Sequence, residues 1–167
     1  MERHRRLEAA VGSTIFLLVA PGLVAGVGPW LVTRWHVHGP LALHIVGAVL
    51  IAAGALVLLH AFVRFVVEGF GTPAPVAETE RLVVGGLYRY VRNPMYIAVG
   101  ATIVGQALLF GRPILLAYAA VFWAITAAFV HWYEEPHLKR RYGAEYEAYR
   151  RSVPAWFPRR RGRRVAM

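Results

Sequence analysis

The chain of 167 residues contains no cysteine. Disulfide bonds, thiolate metal sites and cysteine nucleophiles are therefore excluded. Aspartate is absent as well, so that all nine acidic residues are glutamates. The chain also lacks the glycine-rich phosphate loops of nucleotide-binding proteins and the His-Glu-x-x-His motif of zinc proteases. Nothing in the sequence therefore supports nucleotide hydrolysis or zinc-protease chemistry.

Long apolar runs dominate what is present. Hydrophobic residues make up 57% of the chain, against roughly 45–50% in soluble domains. A bilayer core of about 30 Å is crossed by about 20 helical residues. The sequence therefore predicts an all-α integral membrane protein in a single domain, residues 1–167, with about four transmembrane helices near residues 11–32, 41–67, 95–110 and 114–133. The third run is short, and we expect its helix to gain length from the segment before it.

The charged residues lie on one side of this arrangement. The formal net charge is +10, and of the 19 basic residues only Arg34 and Arg112 fall in the two loops of the opposite side. All nine glutamates share the basic side. The positive-inside rule then predicts that both termini are cytoplasmic. We expect the protein to reside in the inner membrane. Membrane lipid, and not nucleic acid, is the expected partner of the basic residues.

The C-terminal segment, residues 134–167, has a helical pattern of its own. Leu138, Tyr142, Tyr146 and Tyr149 recur at near-helical spacing opposite basic residues. The pattern predicts an amphipathic helix that lies on the membrane or folds back over a site, with Gly143 as its potential interruption. The basic run at residues 159–164 is expected to be attracted to lipid.

The stretch from Tyr88 to Tyr96 concentrates arginine and tyrosine just before an apolar run. Pro94 suits the first turn of the helix that follows, and the free amide groups of such a helix start favour an anion or carboxylate. Arg92 and Asn93 add hydrogen-bond donors beside it, and Tyr88 and Tyr96 offer flat faces for a ring or a cation. The alternative is that these residues only anchor the helix in the lipid headgroup region.

A second polar cluster, Glu134 and Glu135, follows the last apolar run. One glutamate can bind an ammonium group or ribose hydroxyls while the other balances the arginines. Alternatively, the pair simply occupies the first turn of a basic helix, where negative charge is favourable. His60, Arg64 and Glu68 share one helix face, which predicts an ion-paired helix end, with His60 or Arg64 lining the pocket as the alternative.

Two further features point to no ligand. His36 and His38 lie two residues apart, and no partner residues for a metal site accompany them in the sequence, so no metal is predicted. Gly22 and Gly26 form a small-xxx-small pattern, which indicates helix packing within or between chains. Whether the chain forms a homodimer stays open.

The pattern Gly-x-Tyr-x-x-Val-Arg-Asn-Pro-Met-Tyr at residues 86–96 is followed by Glu-Glu-x-x-Leu-x-x-x-Tyr-Gly-x-x-Tyr-x-x-Tyr at 134–149 and by Val-Pro at 153–154. With the Gly-Thr-Pro-x-Pro turn at 71–75, this combination resembles the isoprenylcysteine carboxyl methyltransferase and phospholipid methyltransferase superfamily of integral membrane enzymes. The resemblance covers about residues 69–158 and leaves the first two apolar runs as generic membrane helices.

The resemblance implies S-adenosylmethionine as the cofactor, bound on the cytoplasmic side. It maps the cofactor site to Tyr88, Arg92, Asn93, Pro94, Tyr96, Glu134 and Glu135. Arg92 and Glu135 are the implied catalytic residues. The family carries histidine where this chain has Asn93, and asparagine cannot titrate near neutral pH.

The implied activity is methyl transfer to a lipid-like or small amphiphilic acceptor. O-methylation of an isoprenylcysteine-like carboxylate is favoured, and a phospholipid amine and a thiol are the alternatives. A membrane subunit that only binds lipid is the alternative without catalysis. A four-span cation exporter is disfavoured, because such transporters carry an acidic residue inside a span and here the glutamates lie at span ends or beyond.

Overall fold

A computed structural model describes residues 11–12, 14–15, 18–64, 67–68 and 81–158. These residues form helices and connecting turns, and no strand occurs among them, which confirms the predicted all-α class. The helices are α1 (Leu18–Thr33), α2 (Leu41–Arg64), a 3-10 helix (Gly86–Arg89), α3 (Pro94–Leu109), α4 (Ile114–Tyr142) and α5 (Ala144–Ser152). The predicted turn at 71–75 and the basic run at 159–164 lie outside the described residues.

Helices α2 and α4 have the dimensions of membrane spans. They contain 24 and 29 residues, and only 11% and 17% of their most apolar stretches are buried inside the protein. A core helix of a soluble protein would hide such a surface, whereas lipid solvates it. Helices α1 and α3 are apolar but shorter. The described part of the chain thus supports two helices long enough to cross a membrane, and the prediction of four is met only in part.

Helices α2 and α3 approach each other closely through glycines. A β-carbon on Gly47 would lie 2.5 Å from the carbonyl oxygen of Gly105, and one on Gly54 would lie 2.8 Å from that of Ala98. Both contacts are to backbone atoms, which cannot move aside. Small residues allow membrane helices to pack backbone against backbone in this way. This contact fixes the start of α3 relative to the end of α2.

Helix α1 contains a π-helical turn over Leu23–Val27. Such a turn leaves carbonyl groups without their usual i+4 donors. Side chains of the neighbouring helices replace those donors. The Tyr118 hydroxyl donates to the carbonyl of Val24 at 2.8 Å, and the Gln106 amide donates to that of Ala25. The two side chains therefore join α1 to α3 and α4.

The two glycines of the small-xxx-small pattern lie on α1. A β-carbon on Gly22 or Gly26 would meet nothing within 4 Å. Neither glycine therefore mediates a close contact within the described part of the chain. Packing of this face between chains stays a prediction.

The structure corrects two helix boundaries. Helix α3 begins at Pro94 as predicted, but it gains no length from the preceding segment, because Asn93 leaves helical geometry with φ −121° and ψ 51°. Helix α4 does not end near residue 133. It continues through Pro136 because a π-helical turn over Val130–Glu134 accommodates a residue that has no amide hydrogen. Gly143, with φ +54°, then separates α4 from α5, so it interrupts the helix as predicted.

Candidate functional site

The start of α3 is joined to the C-terminal segment by backbone hydrogen bonds. The amide of Arg92 donates to the carbonyl of Pro154 at 2.9 Å, and the amide of Asn93 donates to that of Ala155 at 3.2 Å. The Asn93 side chain, which is 6% exposed, adds a bond from Nδ2 to the same carbonyl of Ala155 at 3.2 Å. It makes no capping bond to α3. Asn93 thus holds two chain segments together.

Arg92 forms the centre of an ionic cluster with Glu135. Its Nη1 lies 2.8 Å from Glu135 Oε1, and the two side chains are only 12% and 16% exposed. The same nitrogen donates to the Tyr146 hydroxyl at 3.1 Å. Arg150 approaches the second oxygen of Glu135 at 3.4 Å from a more exposed position. The Nε of Arg92 is buried and has no hydrogen-bond partner among the described residues.

Glu134 has a different environment from its neighbour. The Tyr96 hydroxyl donates to Glu134 Oε2 at 3.0 Å. Within the described segments, no basic side chain forms an ion pair with Glu134. Because a partly buried carboxylate without a cation is unfavourable, Glu134 is the acidic group of the cluster that gains most from a positively charged ligand.

Two tryptophans border the Tyr96–Glu134 pair. The Trp156 ring lies 6.5 Å from the Tyr96 ring and 4.8 Å from the Trp123 ring, measured between centroids. The rings are inclined by 47° and 49°, so they do not form a flat stack. Since Trp156 directly follows Ala155, the bonds from Asn93 hold it in this position.

Tyr88 occupies a packed position. Its side chain is 6% exposed and lies with Ala61, Val83 and Met95 in a small core. The Tyr149 hydroxyl donates to the backbone carbonyl of Tyr88 at 2.8 Å. Burial raises the pKa of both phenols, Tyr88 and Tyr149, above the usual value. Both therefore stay neutral at physiological pH, and Tyr88 offers little surface for stacking on a ligand.

Residues near the end of α2 contact the turn at Gly85 and Gly86, which precedes Tyr88. Arg64 and Glu68 form an ion pair of 2.6 Å, and Glu68 Oε2 accepts the amide hydrogen of Gly85 at 3.0 Å. Gly86 adopts φ +56°, and a β-carbon there would lie 2.5 Å from His60 Nε2. The predicted ion-paired helix end is present, and it holds the turn that leads to Tyr88.

Three histidines, His36 and His38 before α2 and His44 in its first turn, contact backbone groups. Ring nitrogens of His36, His38 and His44 lie within 3.2–3.4 Å of carbonyl oxygens. No group of three or more potential metal ligands occurs among the residues that the structure describes.

Sequence reasoning brought together Arg92, Asn93, Tyr96, Glu134 and Glu135, and the structure places these side chains in one region. It missed the contacts of the residues that complete the region: Trp123, Tyr146, Tyr149, Arg150 and Trp156. The tyrosines were visible in the sequence only as the apolar face of an amphipathic helix. A tryptophan in an otherwise polar C-terminal segment was the available signal for Trp156.

Comparisons with known proteins identify the family of the chain. A family model described as "Phospholipid methyltransferase" matches residues 42–145, well over half of the chain. Protein-S-isoprenylcysteine O-methyltransferase of Schizosaccharomyces pombe is 33% identical over 78 residues, which cover 46% of this chain and 33% of the relative. The chain therefore matches about a third of the length of this curated relative. By the family match, the chain belongs to the phospholipid methyltransferase family.

Proposed function

We propose that the protein is an S-adenosylmethionine-dependent methyltransferase of the inner membrane that acts on a lipid-like or small amphiphilic acceptor. The observation that carries this proposal is the charge pattern of the site. Arg92 and Glu135 are paired at 2.8 Å, and Glu134 lies beside them without an ion-pair partner among the described residues. The family match supports the reaction class.

The cofactor fits this pattern by charge. S-adenosylmethionine carries a carboxylate, an ammonium and a sulfonium, and the site offers one guanidinium and two carboxylates. The guanidinium of Arg92, whose side chain is 12% exposed beside Glu135, is the positive group for the cofactor carboxylate. Glu135 is placed to bind the ammonium, because an ion pair presents both signs of charge to a zwitterion. Arg150 partly neutralises Glu135 from the rim.

When bound, the cofactor would supply an electrophilic methyl group: a lone pair of the acceptor would form a new bond to the methyl carbon while the C–S bond breaks and its electrons stay on sulfur. A carboxylate or a neutral amine can react in this way without a dedicated general base. The work left for the protein is alignment and exclusion of water. Asn93 contributes by holding the C-terminal segment over the start of α3, a role that needs no titratable group.

The membrane arrangement that we propose has four spans, with both termini and the site on the cytoplasmic side. An amphiphilic acceptor then reaches the site from the bilayer, and the soluble cofactor reaches it from the cytoplasm. The natural absence of cysteine makes this topology testable with single introduced thiols. We expect a membrane-impermeant maleimide applied to intact cells to label a His38→Cys variant and to leave a Ser152→Cys variant unlabelled. The reverse pattern would contradict the topology.

Titration of S-adenosylmethionine into the detergent-purified protein tests the cofactor. We expect saturable binding that is lost in Arg92→Ala and weakened in Glu135→Ala, with Arg34→Ala on the opposite loop as the control. Absence of binding in a folded, monodisperse wild-type sample would refute the enzyme and favour a subunit that only binds lipid.

The comparisons favour two of the three candidate acceptors. The S. pombe relative is named as an isoprenylcysteine O-methyltransferase, which favours a carboxylate, whereas the family description names phospholipids, which favours an amine. A labelled methyl group distinguishes them in membrane extracts. A methyl ester releases the label as methanol in alkali, and an N-methyl group retains it. We favour the ester, and a label that resists alkali would exclude it in favour of the amine or the thiol.

A further inference from the structure

A ring cluster lies beside Glu134, and its two tryptophans are not part of the cofactor site that the resemblance implies. It consists of Tyr96, Trp123 and Trp156, and the carboxylate of Glu134 accepts the hydrogen bond of Tyr96. All four side chains keep partial exposure, so a ligand can reach them. Aromatic faces and a carboxylate attract the same class of ligand, a cation of low hydration such as a sulfonium or a methylated ammonium.

We propose that Trp156, Trp123 and Tyr96, together with Glu134, form the subsite for the sulfonium group of the cofactor. This inference rests on the proposed function. The subsite would make the protein selective for the charged methyl donor over its neutral thioether product, S-adenosylhomocysteine. It would therefore weaken product binding once the methyl group has been transferred.

The division of charges between the two glutamates supports this assignment. Glu135 is paired with Arg92 at 2.8 Å and with Arg150 at 3.4 Å, in a polar setting suited to the amino-acid part of the cofactor. Glu134 has no such cation in the described segments, and its hydrogen-bond partner Tyr96 belongs to the ring cluster. Adjacent residues thus present one carboxylate to each of the two cationic groups of one ligand.

The position of Trp156 is fixed by the chain. Ala155, the residue before it, accepts two hydrogen bonds from Asn93, and the Trp156 ring rests on Trp123 at 4.8 Å. Trp156 is therefore held in place before a ligand binds, which favours selective recognition because little side-chain freedom is lost on binding.

Binding of two ligands that differ only in the methyl group on sulfur, and therefore in the charge of that sulfur, tests the inference. S-adenosylmethionine and S-adenosylhomocysteine share the adenosine, ammonium and carboxylate groups, so the ratio of their dissociation constants isolates the sulfonium. In Trp156→Leu we expect the affinity for S-adenosylmethionine to fall about tenfold, equivalent to about 1.4 kcal/mol, while that for S-adenosylhomocysteine changes less than about twofold. Trp156→Phe, which keeps an aromatic face, should retain most of the selectivity.

Trp132→Leu is the matched control, because Trp132 is 75% exposed and lies outside the cluster. Thermal unfolding of each variant reports whether it is folded, and Glu134→Gln provides a second test without removal of a ring. An equal loss of affinity for both ligands, or no change for either, would overturn the sulfonium subsite. Failure of the wild type to bind either ligand would instead refute the proposed cofactor.

Discussion

Replacing Asn93 by aspartate tests whether this residue is a structural tie between α3 and the C-terminal segment. The substitution keeps the shape of the side chain but replaces the Nδ2 donor, 3.2 Å from the Ala155 carbonyl oxygen, by an oxygen. If the new carboxyl is ionised, two oxygens oppose each other at a site that is 6% exposed in the wild type. If it keeps its proton, the hydrogen bond is restored. The folded state therefore raises the pKa of the new carboxyl.

The magnitude follows from this pKa. An ordinary aspartate has a pKa of about 3.9, and each pH unit is worth about 1.4 kcal/mol. Keeping the proton at pH 7 would thus cost up to about 4 kcal/mol, and at pH 5 only about 1.5 kcal/mol. A group whose pKa is raised on folding contributes stability at low pH that is lost as the pH rises. The variant should consequently be least stable, relative to the wild type, at neutral pH.

Thermal unfolding followed by tryptophan fluorescence, at several pH values between about 5 and 8, measures the effect. At about 2–4 °C per kcal/mol for a chain of this size, Asn93→Asp should lower the Tm by up to about 8–16 °C at pH 7 and by about 3–6 °C at pH 5. Asn93→Ala, which removes the hydrogen bond without adding charge, should cost about 1 kcal/mol at every pH. A pH-independent effect of Asn93→Asp, no larger than that of Asn93→Ala, would refute the reasoning.

Three further predictions concern the packing around the site. Gly47→Ala should lower the free energy of unfolding by about 1–3 kcal/mol, because the added β-carbon would lie 2.5 Å from backbone atoms of α3. Gly26→Ala, whose β-carbon would meet nothing within 4 Å, should be neutral or slightly stabilising in the same thermal assay. Because burial raises the pKa of Tyr88 and Tyr149, the free energy of unfolding should be unchanged below about pH 10 and should decline above it. Ionisation of the buried tyrosines, measured by near-ultraviolet phenolate absorbance, follows this loss. The decline should be smaller in Tyr149→Phe. Glu68→Ala, which loses the Gly85 bond and the Arg64 pair, should weaken cofactor binding more than Glu68→Gln, and equal effects in titration would contradict a role through the Gly85 amide.

The contacts of Asn93 account for the departure from the resembled family. Where the family has histidine, the amide of Asn93 donates to Ala155 while the backbone amides of Arg92 and Asn93 pair with the same segment. A titratable side chain is not required for this. The proposed chemistry, displacement by an acceptor lone pair, needs no base at this position either, so the substitution is compatible with methyl transfer.

The sequence alone determined the helical class, the approximate positions of the apolar helices and the start of α3 at Pro94. These features depend on local hydropathy and on the backbone geometry of proline, both of which can be read over a short window. The same local signals failed at residue 133. The apolar run ends there and Pro136 follows, yet the helix continues to Tyr142 through a π-helical turn.

Only the tertiary structure decided which charges meet. Arg92 contacts Tyr146 and Glu135, and Asn93 contacts Ala155, across more than forty residues of chain. The sequence predicted that one glutamate binds an ammonium group or ribose hydroxyls while the other balances the arginines, with the first turn of a basic helix as the alternative. In the structure Glu135 meets two arginines and Glu134 meets Tyr96. Periodicity places a residue on a helix, but the neighbours that its side chain meets depend on how the helices pack, and that packing gives the two glutamates their separate partners.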